Sequence, residues 1–139
     1  MSSAPEPLPH RHVLTLPTLP ASVRLARRTA EMTYASWGID GSHPTMGPAL
    51  LVLAELVTNS VRHAAALSPS LTVTFVAGEY ALAFGVHDRH PDHPGLIGVP
   101  ASFRGLALVA QVTAESGGTC VLRRDADGGG KSVWVTLPL

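Results

Sequence analysis

The stretch Glu55-Leu56-Val57-Thr58-Asn59-Ser60-Val61-Arg62-His63-Ala64 lies inside a longer run, about Ala49 to Ala66, with the periodicity of a helix. Its first half, Leu50-Leu51-Val52-Leu53, is apolar on every side, as a helix buried all round requires. With Glu55 placed at the origin of a helical wheel, Leu50, Leu53, Leu56, Val57 and Val61 fill the opposite arc. Asn59, Arg62 and His63 gather on the same side as Glu55. One face is core, and the other collects an acid, an amide, a guanidinium and an imidazole. A carboxylate in an otherwise apolar helix costs several kcal/mol unless it is paired or faces solvent or a ligand. Two readings follow: a Glu55–Arg62 ion pair or a backbone cap, or a ligand site. In the second, Asn59 offers a neutral oxygen to a hard cation and Glu55 takes a proton from water or a hydroxyl.

Outward from this helix the chain reads as one domain. Residues 1–9, with three prolines, predict a flexible N-terminal arm, and 10–139 a single folded unit. His12-Val13-Leu14-Thr15-Leu16 alternates as an edge strand, and a helix from near Pro20 to Trp37 ends at Gly38. Ile39 to Pro48 reads as a loop. Leu71–Phe75 and Tyr80–Val86 flank Gly78-Glu79 as a hairpin with its large residues on one face. Asp88 to Ser102 is broken by three prolines and two glycines. A short helix over about Gly105–Glu115 precedes two strands, Thr119–Arg123 and Lys131–Leu137. The order β-α-α-β-β-α-β-β predicts an α+β fold, helices on one face of a mainly antiparallel mixed sheet.

Composition narrows the function. Of 139 residues 45% are hydrophobic and 14% charged, which suits a packed core. Ten basic and ten acidic residues cancel, so no charge footprint points to nucleic acid or an anionic membrane. The basic residues are nine Arg and the single Lys131, a bias typical of GC-rich coding. A lone Cys120 excludes a disulfide framework and a cysteine-based zinc site. The first residues carry no secretory pattern and no apolar run is long enough to span a bilayer, so the expectation is a cytoplasmic protein.

The run Glu55 to Ala64 closely resembles the N-box of the GHKL superfamily of ATPases, and more narrowly the histidine-kinase-like ATPase domain of bacterial anti-sigma-factor serine/threonine kinases. The resemblance covers most of the chain, from the first helix to the closing strand. It implies a two-layer α/β sandwich of the Bergerat ATP-binding type, with ATP and Mg²⁺ as cofactors. It implies that Asn59 coordinates Mg²⁺ at the ATP phosphates, that Glu55 is the general base, and that His63 assists near the phosphates or hydrogen-bonds a neighbour that does. Phosphoryl transfer needs charge neutralisation and positioning above all, and these residue types supply both.

Further along, the resemblance implies that Asp88, at the end of a strand, accepts the adenine amino group; read alone, it is an Asp opening a turn. The segment Arg89-His90-Pro91-Asp92-His93-Pro94 departs from the family pattern, with His90 and Asp92 where glycines are expected. In Phe103-Arg104-Gly105-Leu106-Ala107-Leu108-Val109 the central Gly105-Leu106 is kept, while Phe103 replaces the first glycine. Gly105 at a helix N-terminus presents backbone N–H groups to phosphate, and Arg104 adds a charged contact, unless Gly105 is simply a tight turn into the helix. In Gly130-Lys131-Ser132-Val133-Trp134, Ser132 is the adenine-side hydroxyl or else a solvated strand residue. His87, Asp88, His90, Asp92 and His93 also admit a metal site, against the simpler reading of a solvated polar loop.

Two functions stay open. One is an anti-sigma-factor kinase that phosphorylates a Ser or Thr of an antagonist protein with Mg-ATP. Its partners by resemblance are the sigma factor and the antagonist, and it forms a homodimer. The other is a non-catalytic nucleotide- or partner-binding regulator, which the altered glycine boxes favour. Retention of both Glu55 and Asn59 favours the kinase.

Overall fold

A computed structural model describes residues 8–90 and 104–139. Within them the order is β1 (His10–Pro17), α1 (Ala21–Ser36), α2 (Met46–Ala64), β2 (Ser70–Ala77), β3 (Ala81–Asp88), α3 (Arg104–Glu115), β4 (Thr119–Arg124) and β5 (Lys131–Pro138). The expected arm lies mostly outside the described residues. So do Pro91, Asp92, His93 and Phe103.

The alternation of the strands decides which side of the sheet is covered. Leu71, Val73, Phe75 and Ala77 of β2 join Leu82, Phe84 and Val86 of β3 and Val133, Val135 and Leu137 of β5 in one buried cluster. Successive strand side chains point to opposite faces, so all of these share a face. The helices bury their apolar stripes on it: Ala26, Ala30 and Tyr34 from α1, Val52, Leu53, Leu56 and Val57 from α2, and Val109 from α3. The result is an α+β arrangement with a helical layer on one side of a five-stranded sheet.

The strand order is β1-β2-β3-β5-β4. Every neighbouring pair is antiparallel, so the sheet is not mixed as the sequence suggested. The reason lies in the insertion of β5. β3 and β4, linked through α3, run in the same direction, but β5 separates them and pairs antiparallel with both.

One local detail departs from the sequence reading. Helix α2 begins at Met46, inside the expected loop. Pro48 is the third residue of its first turn, where the backbone N–H has no helical acceptor, so proline costs nothing there. On the open side of the sheet, the Trp134 indole lies over Gly85; a Cβ there would come within 2.5 Å of the ring. Tyr34 anchors α1 to the sheet: its hydroxyl donates to the Ala83 carbonyl at 2.6 Å, and its ring meets Phe75 edge-on. Burial pushes the Tyr34 phenol well above the ordinary tyrosine range.

Candidate nucleotide site

The buried half of the α2 polar face, the ends of β3 and β5, and the first turn of α3 converge on one cavity. It is lined by Leu56, Asn59 and Ser60 of α2, Val86 and Asp88 of β3, Lys131 and Val133 of β5, and Leu106 of α3. Its free volume is about 20 Å³, room for about one water molecule.

Asp88 is the floor of the cavity and is 3% exposed. Both oxygens are engaged. Ser60 Oγ donates to Oδ2 at 2.6 Å; Lys131 Nζ and the His90 backbone N–H each donate to Oδ1 at 3.0 Å. The sheet register explains the Lys131 contact, since Asp88 and Lys131 are direct partners across β3 and β5 and so share a face. The lysine side chain is 12% exposed. A carboxylate this deep requires such partners to remain ionised.

Asn59 also lines the cavity. Its Nδ2 is buried and has no hydrogen-bond partner. Buried polar atoms are almost always satisfied, and an exception that lines a cavity marks a place where a ligand can pair. The amide fits the group that the N-box resemblance implies. An amide offers a donor that could pair with an anionic oxygen and a neutral oxygen of the kind that Mg²⁺ accepts. Glu55, one turn earlier, is half-buried, and among the described residues no ion pair joins it to Arg62. The structural alternative for Glu55, pairing with Arg62, is therefore not realised. Arg62 is exposed and occupies, with His63, the last turn of α2, where cations complement the helix dipole. His63 is half-buried and lies outside the cavity lining.

Thus Asn59, Asp88 and Leu106 come together. Ser132 does not join them. Val133, Val135 and Leu137 face the helices, so Ser132, of opposite parity, points to the open side of the sheet beside His87. Arg104 and Gly105 open α3, next to Leu106 in the lining. Sequence reasoning missed Ser60 and Lys131. The parity that removes Ser132 from the pocket also places Lys131 in it, and this signal was present in the alternation of β5.

The histidine cluster expected around residue 88 splits for the same reason. His87 and Asp88 project to opposite faces, and His87 Nε2 sits 2.9 Å from Asp125 Oδ2. Arg89 joins this outer cluster, pairing with Asp125 and, at 3.0 Å, with Asp127. These contacts clasp the turn between β4 and β5 to the end of β3. The hydrogen bond to His87, then that to Arg89, holds the Asp125 carboxyl below the usual range. Arg89 does the same to Asp127. Among the described residues no group of three His, Cys, Asp or Glu side chains is arranged to hold a metal. Asp92 and His93 fall outside them.

Among the described residues no helix is long and apolar enough to cross a membrane. Compared with known proteins, the chain matches no family model, and no curated protein matches it.

Proposed function

We propose that this chain is an ATP-binding regulatory protein with a Bergerat-type domain, acting as an anti-sigma-factor serine/threonine kinase on an antagonist protein. The observation that carries the reading is the unpartnered, buried Asn59 amide on a cavity whose floor is a buried strand-end carboxylate, Asp88. The N-box spacing joins these to Glu55, four residues before Asn59 and one helical turn away. In this reading Asp88 accepts the exocyclic amino group of the base, and Leu56, Val86 and Val133 receive its apolar faces. Asn59 orients the phosphates and would ligate Mg²⁺. Mg²⁺, when bound, neutralises charge on the phosphates. Glu55 removes the proton from the attacking hydroxyl of the antagonist. Its half-exposed position lets it meet a hydroxyl presented from outside the domain.

The test is calorimetry with ATP, with and without Mg²⁺, on the parent and on Glu55→Gln, followed by single-turnover phosphorylation of the antagonist. The expected result is Mg²⁺-dependent ATP binding by both proteins, with transfer lowered about 10²–10⁴-fold in Glu55→Gln, the range for losing a positioned base. Absence of ATP binding in the parent overturns the nucleotide reading.

A second reading is supported by a specific observation. With Asp88 already paired to Lys131 and a cavity of about 20 Å³, the site has no space for a base in this arrangement. A regulator that binds a protein partner and transfers no phosphate would look the same. A folded parent that binds no ATP selects it, and ATP binding without transfer to any partner selects its nucleotide-binding, non-catalytic form.

A further inference from the structure

Lys131 is the one lysine of the chain, and it is spent inside the candidate pocket. A buried ion pair is a weak stabiliser, because the desolvation of both charges offsets most of their attraction, and an apolar pair of similar volume serves a core as well. Asp88 already has neutral donors from Ser60 and from the His90 backbone. The ammonium adds a third donor at Oδ1, the oxygen on which the His90 N–H also converges. The lysine lines the cavity, whose free volume is about 20 Å³. On the same cavity the Asn59 Nδ2 is left without a partner. One polar group of the pocket is thus satisfied from within by a flexible side chain, while another waits.

From this we infer that Lys131 is an internal latch on the base pocket: its ammonium holds the Asp88 carboxylate in place of a purine amino group, and a nucleotide enters only as the lysine swings out. The inference rests on the nucleotide reading above and adds regulation to it. A lysine stem has four rotatable bonds, and its head regains full hydration outside, so the open state is accessible. The incoming amino group replaces a cation with a neutral donor, a weaker partner for a carboxylate. Apparent affinity is therefore reduced by the fraction of molecules in which the latch is open. Anything that holds Lys131 outside, whether a partner carboxylate or acylation of the amine, raises affinity without touching the base. Gly130, just before Lys131, lies tightly against β3: a Cβ there would come within 2.6 Å of the Asp88 carbonyl oxygen and 2.5 Å of Asp125 Oδ2.

The test uses three proteins and two readouts. ATP is titrated by calorimetry into the parent, Lys131→Met and Lys131→Arg. In the parent, acetylation of Lys131 by an amine-reactive ester is followed by peptide mass mapping with and without saturating ATP. The latch predicts that Lys131→Met binds ATP at least about tenfold more tightly than the parent, and that Lys131→Arg, which keeps the cation, gains nothing. It predicts that ATP accelerates Lys131 acetylation. Equal ATP affinity in the parent and Lys131→Met, with acetylation unchanged by ATP, overturns the latch and leaves the nucleotide reading standing. No ATP binding by the parent or a folded Lys131→Met overturns both. If Lys131→Met does not fold, the acetylation rate in the parent decides alone: acceleration supports the latch and its absence overturns it.

Discussion

Ser60 Oγ lies 2.6 Å from Asp88 Oδ2, and this hydrogen bond ties the buried side of α2 to the end of β3. Among the described residues no other side-chain hydrogen bond joins α2 to β3, so this one is the polar link between two walls of the cavity. Because the acceptor is a buried carboxylate also paired with Lys131, and the donor is buried, Ser60→Ala should lower stability by about 1.5–3 kcal/mol. Urea denaturation checks it: the midpoint should fall with the slope unchanged.

Asn59→Ala is expected to behave in the opposite way. Nδ2 has no partner to lose, and alanine is the better helix former. Stability should therefore stay within about 0.5 kcal/mol of the parent or rise, while the gain in ATP affinity conferred by Mg²⁺ disappears. A clear loss of stability in denaturant titrations would make Asn59 a structural residue and remove the centre of the site.

The clasp of His87, Arg89, Asp125 and Asp127 predicts a pH dependence of known sign. The Asp125 and Asp127 carboxyls are held below their ordinary range in the folded protein, chiefly by hydrogen bonds to His87 and to Arg89 respectively. Their contribution is complete above the unfolded carboxylate value of about 3.9 and is lost as the pH falls through the folded values. Urea midpoints should drop on acidification below about pH 4. Asp125→Asn should have a shallower drop, together with a less protected turn between β4 and β5 in hydrogen exchange.

Tyr34 sets the alkaline side. Its raised phenol means that folding favours the protonated form, so its contribution is full below the unfolded value of about 10 and is lost as pH rises beyond it. Tyr34→Phe removes the hydrogen bond to the Ala83 carbonyl, lowering neutral-pH stability by about 1 kcal/mol, and flattens the alkaline limb. Melting temperatures of both proteins across the alkaline range measure both effects.

The element order was legible because each element carries its own local signal. Alternation in Leu71–Phe75 and Tyr80–Val86 and the apolar arc opposite Glu55 are properties of neighbours in sequence. Strand order was not legible, since nothing local says that β5 slips between β3 and β4. That insertion is what brings Lys131 opposite Asp88, 43 residues apart. In the candidate site Asn59 and Asp88 were readable from the run on α2 and the end of a strand. Lys131 reads by composition only as the rare exception among arginines, although the alternation of Val133, Val135 and Leu137 sets its side of the sheet. Ser132 offers a hydroxyl, and its parity turns it away.

The position of β5 also governs how the chain behaves while it is being made. Among the described residues β4 is an edge strand whose only ladder partner is β5, and β3 has β2 on one side alone until residues 131–138 arrive. A nascent chain halted before residue 131 therefore presents β3 with one edge of its ladder unpaired, a template for joining another chain. Premature termination in this region yields an adhesive fragment rather than a smaller domain, and the burden on chaperones peaks in the interval between synthesis of β3 and synthesis of β5.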